Sequence, residues 1–253
     1  MISYRVIPVL LLSEGGLVKS EKFKKPIYVG DPINAIRIFN EKEVDELVFL
    51  DIDASKEGRG PDFRVLKNIA SECFMPLGYG GGITSVEEVK RIFSIGIEKV
   101  ILNSIVFEKP EIVTASAKEA GSQSVVVSID YRKNLFGKNK IFSHSKKQMP
   151  LLSIEDFALK MEDHGAGEII LNSVDNDGLM NGYDIEMIAS VANKVQIPVV
   201  ACGGAGNLEH LNLAVKLGKA SAVAAGSIFV FHGPHKAVLI NYPSQDKLSK
   251  IFN

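Results

Sequence analysis

The sequence has no tryptophan and only two cysteines, Cys73 and Cys202, far apart and outside any C-x-x-C spacing. Such a pair supports neither a disulfide framework nor a thiol metal site, so both thiols are expected to be structural, in a reducing cytoplasm. The five histidines (His144, His164, His210, His232 and His235) make neither H-x₃-H nor H-E-x-x-H, and no metal or other cofactor is expected. An excess of one charge is lacking too: 29 Lys and Arg face 30 Asp and Glu, a formal net charge of −1. No global field therefore draws the chain to nucleic acid or to an anionic membrane, although a local basic patch remains open. Long apolar runs are also missing. The stretch VIPVLLL at 6–12 is seven residues, whereas a bilayer needs about 20, and no A-x-A cleavage site follows it. A buried strand is the better reading.

What is present is a recurrent alternation of short apolar runs and helical periodicity. Strands are expected at 5–12, 46–52, 75–80, 99–104, 124–130, 168–173, 197–202 and 221–226. Between them, segments such as INAIRIFNEK, SVEEVKRIFSIG and NLEHLNLAVKLG place apolar residues near i, i+3 and i+4, several with glycine stops. Runs that are apolar at successive positions imply strands covered on both faces, as in an all-parallel sheet. Eight βα units in 253 residues match a (β/α)₈ TIM barrel; an open doubly wound sheet is the competing arrangement. The stretch 75–104 echoes 197–226: Pro76 and Pro198, Gly81 and Gly203, Gly96 and Gly218 are each 122 positions apart, as are Asp53 and Asp175. That period is too long for a solenoid and suits one domain, 1–253, made of two pseudo-symmetric half-barrels, about 1–120 and 121–253.

Chemistry-bearing residues gather where strands end. The turns GYGGGITS (78–85) and CGGAGN (202–207) let backbone N–H groups approach an anion ahead of a helix, and NSI (103–105) and GSIF (226–229) would complete two cups for a bisphosphate ligand. Glycine also serves tight βα turns, so the duplication is what favours phosphate. Asp51, Asp53, Asp130, Asp175 and Asp177 fall at the catalytic face of a barrel; helix caps and turns are the plainer roles for several of them, DNDG (175–178) included. Asp130 closes a wholly apolar strand and should point into the mouth. At the opposite end Arg5, Glu46, Lys99 and Glu168 each precede a strand and could form a ring across the floor, as a stability plug or as a gate. The basic stretch 131–148, with Arg132, Lys133, Lys138, Lys140, Lys146 and Lys147 and no acid, reads as two short strands over the mouth facing an anionic ligand or partner, or as a solvated loop.

Together DELVFLDI, GGGI, GSQSVVVSID, GAGEIILNSVDNDG and GGAG resemble the cyclase subunit of imidazole glycerol phosphate synthase, HisF, to about position 230. The resemblance implies a lyase or cyclase barrel with a glutaminase docked on its floor, Glu98 facing it, and ammonia passing through the core to a phosphosugar site. It matches Arg5, Glu46, Lys99 and Glu168 to the gate, and Gly82, Asn103, Ser104, Gly203, Gly204, Gly226 and Ser227 to the phosphate cups, beside Gly81. Lys19 matches the mobile first loop, with Asp51, Asn172 and Asp177 facing the substrate, and Asp130 matches one of two catalytic aspartates. The other aspartate is absent: Leu11 ends the first strand. The segment FHGPHKAVLINYPSQDKLSKIFN also departs, in place of the family's closing helix. This combination is similar to HisF-like proteins of bacterial surface-polysaccharide pathways, which implies a HisH-like glutaminase and a separate sugar amidotransferase as partners. An ordinary histidine-pathway cyclase is the alternative.

Overall fold

A computed structural model describes residues 4–143 and 151–252. The chain begins with β1 (Arg5–Ser13), turns back through the hairpin β2 (Gly16–Glu21) and β3 (Lys24–Gly30), and enters α1 (Pro32–Glu41). Next come β4 (Leu47–Asp51), the single turn α2 (Ala54–Glu57), α3 (Phe63–Glu72), β5 (Leu77–Gly80), α4 (Val86–Ser94), β6 (Lys99–Leu102) and a 3₁₀ turn at Ser104–Phe107. Then follow α5 (Glu111–Ala120), β7 (Val125–Lys133), β8 (Asn139–Ile141), α6 (Ile154–Asp163), β9 (Glu168–Ser173), α7 (Ile185–Lys194) and β10 (Val199–Cys202). The last elements are α8 (Leu208–Lys216), β11 (Ala222–Ala225), the short α9 (Ser227–Val230), the hairpin β12 (Phe231–His232) and β13 (Ala237–Val238), and α10 (Gln245–Phe252).

Eight parallel strands close on themselves in the order β1, β4, β5, β6, β7, β9, β10, β11, with Arg5 to Pro8 of β1 in register with Ala222 to Ala225 of β11. This is a (β/α)₈ barrel, and closure removes the open-sheet alternative. The eight strands lie where the apolar runs are, because each run is buried twice over. Val6, Leu10 and Leu12 of β1 pack outward under the helices, while Ile7 and Val9 point inward with Val48, Ile101, Val126, Ile170 and Val200. Inside the barrel Gly78 and Gly80 of β5 make room for Ile101 and Leu50: a Cβ on Gly80 would lie 2.9 Å from a Leu50 methyl. Two of the glycines in GYGGG thus serve packing.

The C-terminal segment corrects an expectation. QDKLSKIF does form a closing helix, α10, which packs beside α8, sets Phe252 against Tyr4 with tilted rings whose centroids are 5.4 Å apart, and is led in by Tyr242, whose hydroxyl donates to Val6 O at 2.9 Å. Buried Leu248 is its anchor; the high polarity of the remainder hid the period. The 122-residue echo has a structural counterpart in helix capping. Asp62 and Asp184 cap α3 and α7, and Ser85 and Asn207 cap α4 and α8, each through a side-chain oxygen accepting a backbone N–H.

Candidate functional site at the barrel mouth

The inward-facing alternation of the strands carries different chemistry at the two ends. At the floor the structure brings Arg5, Glu46, Lys99 and Glu168 into one ring. Lys99 Nζ lies 2.9 Å from Glu46 and 2.8 Å from Glu168, and the Arg5 guanidinium bonds both carboxylates from the other side. Glu46 and Glu168 are 3% and 4% exposed. Each cation bridges both anions, and the ring is shut. Outside it lies a shallow hollow lined by Lys90, Phe93, Glu98, Glu119 and Pro198, among others.

At the mouth, the ends of the strands enclose a cavity of about 210 Å³. Asp130 ends the barrel-wall part of β7 and is pinned on both oxygens: Asn172 Nδ2 donates to Oδ1 and Asn103 Nδ2 to Oδ2, each at 3.0 Å. Burial pushes its carboxyl up to about 6 against the pull of those two amides. Leu11 lines the same cavity beside Leu50 and Val9. Since β1 and β7 are four strands apart in a ring of eight, the isobutyl group stands across the barrel from Asp130.

Lys19 sits not in an open loop but in β2, buried, its ammonium donating to Val9 O at 2.6 Å. Burial lowers it to about 8, and burial raises its charge partner Asp177 to about 6. Lys22 N donates to Asp177 O at 2.9 Å, so the β2–β3 hairpin is held against the loop that carries that aspartate. A Cβ on Gly226 would lie 2.0 Å from Lys19 Nζ, so a side chain there would displace the ammonium from Val9 O. The other carboxylates have plainer roles. Asp51 lines the cavity, yet Arg59 grips it at 2.8 and 3.0 Å while the N–H groups of Asp53 and Ala54 share one oxygen. Asp53 precedes α2 near Lys56, and Asp175 accepts from Lys133 N at 2.7 Å; neither lines the cavity.

The two glycine turns flank the cavity with the residues that the repeat pairs with them: Gly81, Gly82, Asn103 and Ser104 on one side, Gly203, Gly204, Gly226 and Ser227 on the other. Their glycines answer the protein as well as any ligand. Gly81 and Gly203 have φ of +127° and +83°, and a Cβ on either would lie within 2.6 Å of a backbone carbonyl, of Asp51 or Ser173. Behind each turn a short helical segment begins, Ser104–Phe107 or Ser227–Val230, so each cup is a glycine turn facing the start of a helical turn. Those short helices were not legible in the sequence, and neither were three other cavity residues. Ser55 Oγ accepts from Gly82 N at 3.3 Å, Ser128 lies two residues before Asp130 on the same face, and Cys202 ends β10. Strand alternation would have found the last two. Cys202 is a cavity thiol, raised by burial to about 12 and so protonated.

The basic stretch after Asp130 does form two strands, with Tyr131 to Lys133 pairing Ile141 to Asn139. His144, Lys146 and Lys147 lie outside the described residues. No helix among the described residues is long and apolar enough to cross a membrane.

Comparison with known proteins gives a consistent result. A family profile described as "Histidine biosynthesis protein" matches residues 5–235. A protein of Pseudomonas aeruginosa is 50% identical over 248 residues, covering 98% of this chain and 99% of its own. One from Leptospira interrogans is 47% identical over 253 residues, the whole of both chains. One from Vibrio vulnificus is 49% identical over 251 residues, 99% of this chain and 96% of the relative. All three carry the description "Putative imidazole glycerol phosphate synthase subunit", as hisF2, HisF and hisF3 respectively.

Proposed function

Because the chain belongs to the family of histidine biosynthesis proteins, we propose that it is a HisF-type barrel subunit that takes ammonia from a HisH-like glutaminase and delivers it for amidation of a nucleotide-linked sugar in surface-polysaccharide biosynthesis. The observation that carries this reading is Leu11. It occupies the place across the cavity from Asp130 where a second acid would be needed, and general acid–base assistance is worth roughly 10²–10⁴ in rate. An isobutyl group transfers no proton. Asp130, raised to about 6, is left without an acid opposite it, with both its oxygens held by amides.

The remaining parts suit conduction and anion binding. The glutaminase docks over the floor hollow beside Glu98 and the ring; Lys99, which reaches both carboxylates through a single ammonium where Arg5 uses two guanidinium nitrogens, swings to open it. Ammonia then crosses an interior of aliphatic side chains, a path that admits the neutral molecule and rejects the ammonium ion, whose desolvation costs far more. A phosphorylated ligand lies across the mouth with its anionic ends at the Gly82–Ser104 and Gly204–Ser227 cups, and Lys19, Asn172 and Asp177 face it between them. The designations hisF2 and hisF3 of two relatives fit an additional HisF copy with its own task.

The test is an ammonia-dependent assay of the purified barrel with the histidine-pathway substrate, run beside a mixture of barrel, glutaminase, sugar amidotransferase and nucleotide-linked sugar. The reading expects turnover of glutamine into product in the mixture alone. It fails if the unmodified barrel converts the histidine-pathway substrate at about 1 s⁻¹ or faster, a rate ordinary for enzymes.

A further inference from the structure

Three hairpins stand on the rim of the mouth: β2–β3, which follows β1, β7–β8, and β12–β13, which follows β11. They form one surface. Phe23 of the first packs on Phe142 just beyond the second, ring centroids 6.4 Å apart, and Lys236 of the third bonds Glu21 of the first at 2.5 Å. Each hairpin carries apolar side chains turned to solvent: Tyr28 at 70% exposure, Phe136 at 88%, Leu135 wholly exposed, and Val238 at 50% with Leu239 just beyond it at 53%. Single exposed hydrophobes are ordinary; their collection on three neighbouring hairpins around one cavity is not.

The charge on this rim is equally one-sided. Exposed cations line it, Lys22, Lys24 and Lys25 on one hairpin and Arg132, Lys133 and Lys140 on another, while Glu21 is the single acid on the outer parts of the hairpins (16–30, 131–141 and 231–238) and is already paired; Asp175 and Asp184 lie against the second hairpin, where they accept from Lys133 N and Asn139 Nδ2. A chain with net charge −1 thus presents a basic surface on these hairpins. Apolar tips set among lysines and arginines match the interface pattern of an apolar centre and a steering charged rim.

We propose that this crown is the docking surface for a second protein with an acidic, apolar face, the ammonia-accepting enzyme; the identity of that enzyme rests on the function proposed above. Other occupants fit worse. A second copy of the chain apposing the same crown would set like charges against each other. A nucleic acid would use the cations and the rings of Tyr28 and Phe136 but gains nothing from Leu135, Leu239 or Ile27, which offer no ring to stack on bases and make up the rest of the exposed apolar surface. A small anion inside the cavity leaves the outward-facing tips unexplained. Strand addition at the β3 edge is blocked by Pro26 and its flanking lysines. Docking here would cover the cavity opening and shorten the path of a labile nitrogen nucleophile to its acceptor.

The experiment uses the full chain with purified glutaminase and purified sugar amidotransferase, measured by sedimentation velocity at low and high salt. The wild-type barrel should bind the amidotransferase, more weakly as salt rises. Leu135→Ser/Phe136→Ser and, separately, Lys24→Glu/Lys25→Glu/Lys133→Glu should each lose affinity about tenfold or more, as removal of an interface anchor does. In both variants glutaminase binding at the floor should be unchanged, which excludes misfolding. Wild-type affinity in both variants overturns the assignment, as does absence of a complex with the wild-type chain, self-association through the crown, or crown-dependent binding of a duplex DNA oligonucleotide. Amidated product formed by the crown variants in the three-component mixture at the wild-type rate would refute the crown and leave the function standing; histidine-pathway turnover by the barrel alone would refute the function itself.

Discussion

The floor and the mouth of this barrel are built from the same strands, yet they treat buried charge in opposite ways. At the floor two carboxylates are answered by two cations, each bridging both, so no charge is left over. At the mouth Asp130 meets amides alone, and Asp177 meets a lysine that is itself buried; both acids are raised to about 6 and Lys19 is lowered to about 8. Neutralised charge stiffens a structure, whereas groups held near neutral pH are poised to exchange protons. The difference suits stability at one end and proton exchange at the other.

Breaking the floor should give the largest effect. Lys99→Met leaves Glu46 and Glu168 buried with Arg5 as their remaining partner, and stranding part of a buried ion network costs about 3–5 kcal/mol. Urea unfolding should show that loss, with little dependence on salt because the ring is shielded. A loss under about 1 kcal/mol would mean that water or Arg5 alone neutralises the pair, and the floor would then resemble the mouth. In the glutaminase complex the same variant should uncouple glutamine hydrolysis from product formation.

Sharpening the mouth comes next. Leu11→Asp restores a carboxyl across the cavity from Asp130, and with the glycine cups intact it should raise ammonia-dependent cyclase turnover about 10²-fold or more. Continued inactivity would place the divergence in the rest of the pocket, where Ser128, Asn172 and Cys202 surround Asp130 and none of them supplies an acid at neutral pH.

The mouth also makes a prediction in pH. A carboxyl raised from its unfolded value near 4 to about 6 binds its proton more tightly in the native state, so stability falls as pH climbs through that window and is level above it. Asp130→Asn should remove part of the fall, roughly 1–3 kcal/mol across the window, and Asp177 should account for what remains. Chemical denaturation at pH 4, 5, 6 and 7 measures the slope; an unchanged slope in Asp130→Asn would show that Asp130 titrates normally in the native protein.

The same contrast explains what was legible in the sequence. Eight strands could be read because a doubly buried strand must be apolar at successive positions, and the floor ring could be placed because its charges directly precede those runs. The β2–β3 hairpin could not, since its turn holds Lys22 and Phe23 at positive φ without a glycine, and its outer strand is exposed at five of seven positions. Arg59 was missed as the partner of Asp51 because an arginine in GRG gives no periodic signal. Cavity residues such as Ser128 and Cys202 are small and ordinary, and only strand register shows which way they point.

The smallest effect separates the two half-barrels rather than the two ends. Behind the first cup, Ser85 caps α4 by accepting from Glu88 N at 3.3 Å, while the Glu88 carboxylate returns to Thr84 N at 2.7 Å and Ser85 N at 3.0 Å, a reciprocal capping box. Behind the second cup Asn207 caps α8, and His210, at the position equivalent to Glu88, takes Gly206 N at 3.1 Å. The scaffolding is equivalent, but the charge is not: a carboxylate reinforces the positive end of a helix, and a neutral imidazole does not. Ser85→Ala should therefore cost about 1 kcal/mol, and Asn207→Ala about the same. Glu88→Gln should cost a further few tenths that shrink with added salt, whereas His210→Gln should show no salt dependence at pH 8. Equal salt responses in the two halves would mean that the Glu88 charge adds nothing beyond its hydrogen bonds, and that both cups are backed by helices of the same field.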